Sequence, residues 1–235
     1  MELEESSLRD LERIVGEARK WRLKLLVIGG YAVRAYTSGY RATKDIDCVI
    51  SKEETGGLVA LLKKLGYVVK ETEFGLTGKR KINHQYIDLH ISVGEIYDVS
   101  TGERYPVNKE TFNNAELLEI SGHHKETKTK VKAHVISLEE LLILKLMTRK
   151  RDKDIVDIVA LLIDKGNKIR TDNFVKIAQR VNLSRHIRDS LLFLIGQIRT
   201  HDARKIWFSI TGKILMRKTE NELTRKLRNL EEKLH

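Results

Sequence analysis

The chain has 235 residues, of which 41% are hydrophobic, so it is long enough for one large domain or two small ones. Cys48 is its only cysteine, which excludes an intrachain disulfide and a zinc site built from a cysteine cluster. We find no run of about 18 apolar residues and no signal-peptide pattern, and therefore predict a cytoplasmic protein that binds no membrane.

The formal net charge of +11 is unevenly distributed along the chain. Residues 123–235 contain 26 Lys and Arg against 14 Asp and Glu, whereas the residues before them contain 18 against 19. A basic excess confined to one half indicates a polyanionic partner, and we expect nucleic acid. The alternative is a solvated, lysine-rich helical surface.

Hydrophobic periodicity predicts a mixed α/β region up to residue 136. Ser7 is expected to cap the first helix, and Gly78 is expected to lie in a turn. The predicted elements are a helix at 7–22, strands at 25–28 and 45–50, a helix at 52–65, and strands at 67–73, 85–92, 115–120 and 130–136.

From residue 137 onward the pattern predicts helices only. These helices are expected at 138–150, 152–165, 171–182, 184–199, 202–213 and 215–233. The fold class is therefore predicted to be α/β (α+β), with a mixed β-sheet flanked by helices in a domain at 1–136. A basic helical domain is predicted at 137–235.

Two carboxylates, Asp45 and Asp47, flank Ile46 in a predicted strand, so their side chains should share one face. Adjacent carboxylates repel unless a positive charge lies between them, and a divalent cation with oxygen ligands is the usual partner. Asp88 lies in a later strand that can pair beside this one. The three acids predict a two-metal site for phosphoryl transfer. Exposed solubility charges on an edge strand are the alternative.

A glycine pair, Gly29-Gly30, follows the strand at 25–28 and opens a short amphipathic segment. Backbone N–H groups at such a helix start can cradle a phosphate without interference from a side chain. A simple turn is the alternative. Arg41 and Lys44 flank the acids and can neutralise a triphosphate or a nucleic-acid backbone.

These motifs resemble the polymerase-β-type nucleotidyltransferase superfamily. The pattern Gly29-Gly30…Arg41-x-Thr43-x-Asp45-Ile46-Asp47 most resembles the AbiEii-like group, the nucleotidyltransferase toxins of bacterial and archaeal toxin–antitoxin systems. Lys145, Arg149 and the run from Lys153 to Asp157 match the lysine helix and the acidic helix start of that group. Arg34-Ala35, in place of Arg-Asp, departs from the pattern of CCA-adding enzymes.

The resemblance implies roles for individual residues. Asp45, Asp47 and Asp88 would be catalytic and would hold the metal, with Asp88 also able to act as a base. The implied cofactor is Mg²⁺, with two ions in the active site and Mn²⁺ as an alternative. The implied nucleotide-binding residues are Gly29, Gly30, Arg41, Thr43, Lys145, Arg149, Asp154 and Asp157.

Some of these positions also have a structural alternative. Lys145 can be an ordinary surface lysine of its helix. Asp154 and Asp157 can cap the helix that begins near Asp152, where the helix dipole favours acidic side chains.

We therefore predict a magnesium-dependent nucleotidyltransferase that moves a nucleoside monophosphate from a nucleoside triphosphate to a hydroxyl group. The basic half favours an RNA acceptor. The resemblance implies the tRNA 3′ end, a toxin role and an antitoxin partner. Two alternatives stay open: a small-molecule, antibiotic-type acceptor, for which an acidic cleft is expected, and a catalytically silent nucleic-acid-binding domain of the same fold.

Overall fold

The structure is a computed structural model that describes residues 2–82, 85–124, 126–148 and 151–234. The chain forms two compact units, and each unit is made of three separate segments of the chain. The first unit comprises Met1–Ala35, Ala42–Tyr97 and Arg104–Ser137. The second comprises Tyr36–Arg41, Asp98–Glu103 and Leu138–His235. The division into domains at residues 136 and 137 stays a prediction.

The first unit contains the strands and the helices that precede residue 138. In chain order they are α1 (Glu2–Lys20), β1 (Leu26–Val27), α2 (Gly29–Tyr36), β2 (Ile46–Ile50), α3 (Thr55–Lys64), β3 (Val68–Thr72), β4 (Gly75–Ile82), β5 (Gln85–Val93), β6 (Glu95–Tyr97), β7 (Arg104–Pro106), α4 (Lys109–Asn113), β8 (Glu116–Ser121) and β9 (Lys130–Val135).

Seven strands of the described residues form one mixed sheet in the order β3-β4-β5-β2-β1-β9-β8. The β2–β5 and β1–β9 pairs are parallel, and the other neighbours are antiparallel. Strand β2 therefore lies inside the sheet, between β5 and β1. The predicted mixed sheet with flanking helices is confirmed.

One face of the sheet forms the core of the first unit. Ile46, Cys48 and Ile50 alternate along β2 and are fully buried, as the two-residue period of a strand requires. Helix α1 contacts β5, β9 and α3, so its apolar stripe, which includes Leu8 and Leu11, covers this face. Asp47, at an intervening position of β2, is thereby directed to the opposite face.

The second unit is built around α5, all ten residues of which are buried. A helix that is largely apolar around its whole circumference belongs in a core, and α5 packs on α6, α7 and α8. The helices of this unit are α5 (Leu138–Met147), α6 (Asp152–Lys165), α7 (Thr171–Arg180), α8 (Ser184–Arg199), α9 (Asp202–Thr211) and α10 (Arg217–Glu232).

Three details of the first unit differ from the sequence-based expectation. Helix α1 begins at Glu2, so Ser7 lies inside the helix, where its buried hydroxyl donates to the Lys44 carbonyl at 2.6 Å. Gly78 lies within β4, between Val69 and Leu89, because no turn interrupts that strand. Strands β4, β6 and β7 and helix α4 were not predicted; β4 was missed because a turn was expected at Gly78, and the other three are only three to five residues long.

Within the part of the chain that the structure describes, no helix combines the length and the apolar character needed to cross a lipid bilayer.

Asp10 of α1 ties this helix to the sheet. Its carboxylate is 2% exposed and accepts hydrogen bonds from the Tyr67 hydroxyl at 2.6 Å and from the Arg80 guanidinium. Asp10→Ala leaves both donors without this acceptor, and we expect it to lower the free energy of unfolding by about 3 kcal/mol. Urea denaturation measures the loss. Glu12→Ala, an exposed position of the same helix, is the control, and an equal loss in both variants would contradict the prediction.

Candidate functional site

Four ionisable side chains share one face of the paired strands β2 and β5. The parallel register places Ile46 beside Leu89 and Asp47 beside His90. Asp45 directly precedes β2, and the charges of both Asp45 and Asp88 act on His90. Because Ile46 and Leu89 are buried, the intervening acids and His90 lie on the sheet face opposite the α1 core. We call Asp45, Asp47, Asp88 and His90 the acid face.

The acids of this face lie beside a histidine and a lysine. His90 Nδ1 lies 3.2 Å from Asp47 Oδ1 on the adjacent strand. Lys79 Nζ lies 3.3 Å from Asp88 Oδ1, since β4 places Lys79 directly beside Asp88. The hydrogen bond to Asp47 raises the pKa of His90, and the negative charges of the nearby acids raise it further. Burial lowers this pKa, but the net effect is a raised value. The acid face thus attracts positive charge.

The start of α2 packs against the acid face and requires glycine there. Gly29 has a φ of 65°, in the left-handed region that glycine adopts readily. A Cβ at Gly29 would lie 2.7 Å from Cγ of Asp47, and a Cβ at Gly30 would lie 2.7 Å from Oγ1 of Thr43. The first turn of α2 therefore meets Asp47 with its backbone, and this is the positive end of the helix dipole.

The chemistry of the acid face fits a hard divalent cation, because carboxylate oxygens are the ligands that Mg²⁺ prefers. Asp47 and Asp88 are 30% and 28% exposed, so their oxygens are accessible to an ion. In the described residues no three Asp, Glu, His or Cys side chains already form a set that could hold a metal. His90 and Lys79 contact two of the acids in this structure.

A second charged cluster lies in the helical unit. Lys145 Nζ donates to Asp154 Oδ1 at 2.9 Å and to Asp157 Oδ2 at 2.8 Å. Arg41 binds Asp157 through Nε and Nη2, each at 2.7 Å. Arg151 Nε donates to the second oxygen of Asp154 at 2.5 Å. We call these five residues the lysine cluster.

The lysine cluster is largely shielded from solvent. Lys145 is 8% exposed, and Asp154 and Asp157 are 1% exposed, so the alternative of an ordinary surface lysine is wrong. Burial lowers the pKa of Lys145, but Asp157 and Asp154 outweigh it and the net effect is a raised pKa. Burial likewise opposes ionisation of Asp154, yet Lys145 and Arg151 hold its pKa below the usual value. Both shifts favour the charged forms of Lys145 and Asp154.

The acidic residues of α6 do not act as simple caps. Asp154 lies in the first turn, where the dipole favours an acid, but its carboxylate binds two cations rather than backbone N–H groups. Asp157 lies beyond the first turn and binds Arg41 and Lys145. Helix α6 starts after Arg151, which makes no side-chain capping bond.

The predicted site residues thus fall into two groups. Gly29, Gly30, Thr43 and the three acids Asp45, Asp47 and Asp88 lie together in the first unit. Arg41, Lys145, Asp154 and Asp157 lie together in the second unit. Arg149 lies outside the described residues. The alternative of edge-strand solubility charges is wrong for Asp45 and Asp47, because β2 is an interior strand.

Sequence reasoning did not single out the cationic neighbours of these acids. The sequence does not reveal that Lys79 lies beside Asp88, because this contact depends on the β4–β5 register. The contact of His90 with Asp47 likewise depends on the pairing of β2 and β5. Arg151 precedes Asp154 by three residues, a helical spacing that could have revealed the pair.

The whole-chain comparison agrees with the geometry of the acid face. A family model described as nucleotidyl transferase AbiEii toxin, type IV TA system, matches residues 11–233. The protein belongs to this family. As a member of the AbiEii family it is a nucleotidyltransferase, and the resemblance seen in the motifs is confirmed.

Solved structures give the same fold at low sequence identity. JHP933 from Helicobacter pylori is 15% identical, with a TM-score of 0.54 over 95% of this chain and 90% of that chain. ANT(2″)-Ia in complex with adenylyl-2″-tobramycin is 16% identical, with a TM-score of 0.50 over 75% of this chain and 97% of that chain. At these identities the likeness shows the fold alone. A search of curated proteins gave no match.

The glycine at the start of α2 provides a direct test of the acid-face geometry. Gly29→Ala places a Cβ against Asp47 and forces a positive φ on alanine, and we expect nucleotidyl transfer to fall about 100-fold because the carboxylate is displaced. Gly16→Ala is the control, because no atom lies within 4 Å of its added Cβ. It should keep activity and gain about 0.5–1 kcal/mol of stability. Full activity in Gly29→Ala would contradict the described geometry.

Removal of the buried ammonium group tests the lysine cluster. Lys145→Met leaves Asp154 and Asp157 buried with one fewer cation, and we expect a loss of about 3–5 kcal/mol in the free energy of unfolding. Lys153→Met, at an exposed position of α6, should change it by less than about 0.5 kcal/mol. Chemical denaturation of both variants gives the two values. Similar small changes would mean that Lys145 does not hold the two acids.

Proposed function

We propose that the protein is a magnesium-dependent nucleotidyltransferase that transfers a nucleoside monophosphate from a nucleoside triphosphate to a hydroxyl group of RNA. The observation that carries the proposal is the acid face. It combines three carboxylates on paired strands with the backbone of a helix start at Gly29. Oxygen ligands beside a phosphate-binding helix start are what metal-assisted phosphoryl transfer requires.

Each element of the acid face has a proposed task. Asp45 and Asp47 hold the metal ions, and Asp88 completes the set. The ions, when bound, neutralise charge on the phosphates and on the attacking and leaving oxygens. The N–H groups at Gly29 and Gly30 bind phosphate oxygens of the donor, and Thr43, which packs on Gly30, fixes that turn.

The proposed reaction is a displacement at the α-phosphorus of the donor. The acceptor hydroxyl oxygen forms a bond to this phosphorus, and the bond to the bridging oxygen of the β-phosphate breaks. Pyrophosphate leaves with the electron pair of the broken bond. Asp88 accepts the hydroxyl proton, and its neighbour Lys79 limits how far the negative charge of Asp88 repels the donor.

The lysine cluster has a proposed role in nucleotide binding. Lys145 contributes a positive charge for the triphosphate, and Asp154 and Asp157 fix the position of its ammonium group. Arg41 holds Asp157 through two parallel hydrogen bonds, a geometry that fixes orientation as well as charge. Arg149 is proposed to contribute a second cation to the triphosphate.

The proposed acceptor follows from the distribution of charge. The excess of Lys and Arg in residues 123–235 suits a phosphate backbone better than a cationic drug. The exposed side of α10 carries Arg217, Lys218, Arg225 and Arg228, which make no ion pair with a described residue. We also propose the tRNA 3′ end as acceptor and a cytoplasmic site of action, and the description of the matched family supports a toxin role with an antitoxin partner.

A labelling experiment tests the proposed function. The protein is incubated with magnesium, total tRNA and each α-labelled nucleoside triphosphate in turn. We expect label on RNA with at least one nucleotide, and a loss of at least about 100-fold in Asp47→Asn because a metal ligand is removed. Asp172→Asn, an exposed acid of α7, is the matched control and should keep full activity.

The same assay separates the alternatives. Label on tobramycin but not on RNA would contradict the RNA acceptor and support a small-molecule acceptor. Absence of label from every acceptor tested, with all four nucleotides, would favour the catalytically silent domain. Equal labelling by Asp47→Asn and the wild-type protein would exclude the acid face as the catalytic centre.

A further inference from the structure

We propose that a cavity beside the end of α1 binds a nucleotide, an aromatic base with its phosphate group. The cavity has a volume of about 340 Å³, within the range of small-ligand sites. Its walls come from the end of α1, the segment leading into β1, helix α4 and strand β9. All of these elements belong to the first unit.

The cavity is separate from the acid face. Leu25 and Leu26, at the start of β1, line the cavity, whereas Gly29 lies against Asp47 beyond the other end of this strand. The three residues from Leu26 to Gly29 span about 10 Å in extended chain. A ligand in the cavity is therefore not the donor nucleotide of the proposed reaction.

Three cations line the cavity without partners of their own. The side chains of Arg19, Arg22 and Lys24 make no ion pair or hydrogen bond with any described residue. The Glu54 carboxylate accepts from the backbone N–H of Lys24 at 3.2 Å, not from its ammonium group. The helix dipole stabilises a cation at Arg19, in the last turn of α1. It does not account for Arg22 and Lys24, which follow the helix. A phosphate group with its two negative charges matches this excess.

The remaining walls suit a base rather than an alkyl chain. Val15, Ala18 and Leu23 form an apolar surface, and Phe112 adds an aromatic ring on which a base can stack. Asn113 and His134 supply hydrogen-bonding groups for the edge of a base. An alkyl carboxylate would use the cations and the apolar wall but would leave these two polar side chains unused.

The backbone at Arg22 supports a role for its side chain. Arg22 has a φ of 56°, in the left-handed region that glycine usually occupies after a helix. The turn is closed by backbone bonds from Arg22 to Arg19 at 3.1 Å and from Leu23 to Ala18 at 2.9 Å. Glycine would make this turn with less strain, so an arginine here is consistent with a use for its guanidinium group.

The ligand can be a free mononucleotide or one residue of a bound RNA, since both present a base and a phosphate. Calorimetric titrations in magnesium-free buffer with EDTA distinguish them. The probes are the four nucleoside monophosphates, inorganic phosphate and a single-stranded RNA octamer. Monophosphate binding that weakens when the cavity cations are substituted assigns the site to free nucleotides, and octamer binding that weakens in the same way, without monophosphate binding, assigns it to RNA.

Two variants test the lining. Arg22→Gly combined with Lys24→Gln removes two cations and leaves the turn relaxed, and we expect the bound probe to lose at least about tenfold in affinity. Phe112→Leu should weaken nucleotide binding about fivefold and leave inorganic phosphate unchanged, because only the base stacks on the ring. The control Lys20→Gln removes a neighbouring charge that does not line the cavity and should match the wild-type protein.

The outcomes separate this proposal from the proposed catalytic function. No binding of any nucleotide probe, or equal affinity in the double variant and in Lys20→Gln, would overturn the cavity site. Equal losses of nucleotide and phosphate affinity in Phe112→Leu would overturn the assignment to a base. Asp47→Asn should bind as the wild-type protein does, and loss of binding there would place the ligand on the acid face instead. Transfer activity is not needed for any of these readouts.

Discussion

Mutual repulsion between three carboxylates is the constraint on which the candidate active site depends. The β2–β5 register places Asp45, Asp47 and Asp88 on one face, and the buried face of the same strands prevents them from turning away. Lys79 offsets part of the negative charge from the neighbouring strand, and His90 lies within hydrogen-bonding distance of Asp47. The backbone at Gly29 must come close to Asp47, which leaves no room for a side chain there.

In the helical unit the acidic side chains of the lysine cluster are neutralised by ion pairs. Lys145, Asp154 and Asp157 of this cluster are buried, and each acid in the cluster is paired with two cations. The cost of desolvation offsets much of the attraction within a buried ion pair. Apolar side chains of similar volume would often stabilise a protein equally well. We therefore interpret the lysine cluster as a device that positions Lys145, in keeping with its proposed part in nucleotide binding.

The sequence was most informative where function and local periodicity coincide. The two-residue period of a strand predicted the shared face of Asp45 and Asp47, and the 3.6-residue period predicted the helices from residue 138 onward. The fold class was predicted correctly from this periodicity. The family and the nucleotidyltransferase activity were predicted correctly from the resemblance of the glycine and aspartate motifs.

What the sequence did not reveal depends on contacts between distant segments. The pairing of Arg41 with Asp157 joins residues that are far apart in the chain. The positions of Lys79 and His90 beside the acids follow from strand register, and Gly78 was misread because glycine in a strand resembles a turn signal. The cavity beside α1 is formed by several separate segments, so no single stretch of sequence indicates it.

The most direct test of the central claim is a crystal structure with Mn²⁺ and a non-hydrolysable nucleoside triphosphate analogue, using anomalous scattering to locate the metal. We predict manganese bound by Asp45 and Asp47, with a phosphate group at the N–H groups of Gly29 and Gly30. Absence of the nucleotide from the acid face, or manganese held by Asp154 and Asp157 with the acid face empty, would contradict the assignment of the acid face as the catalytic centre.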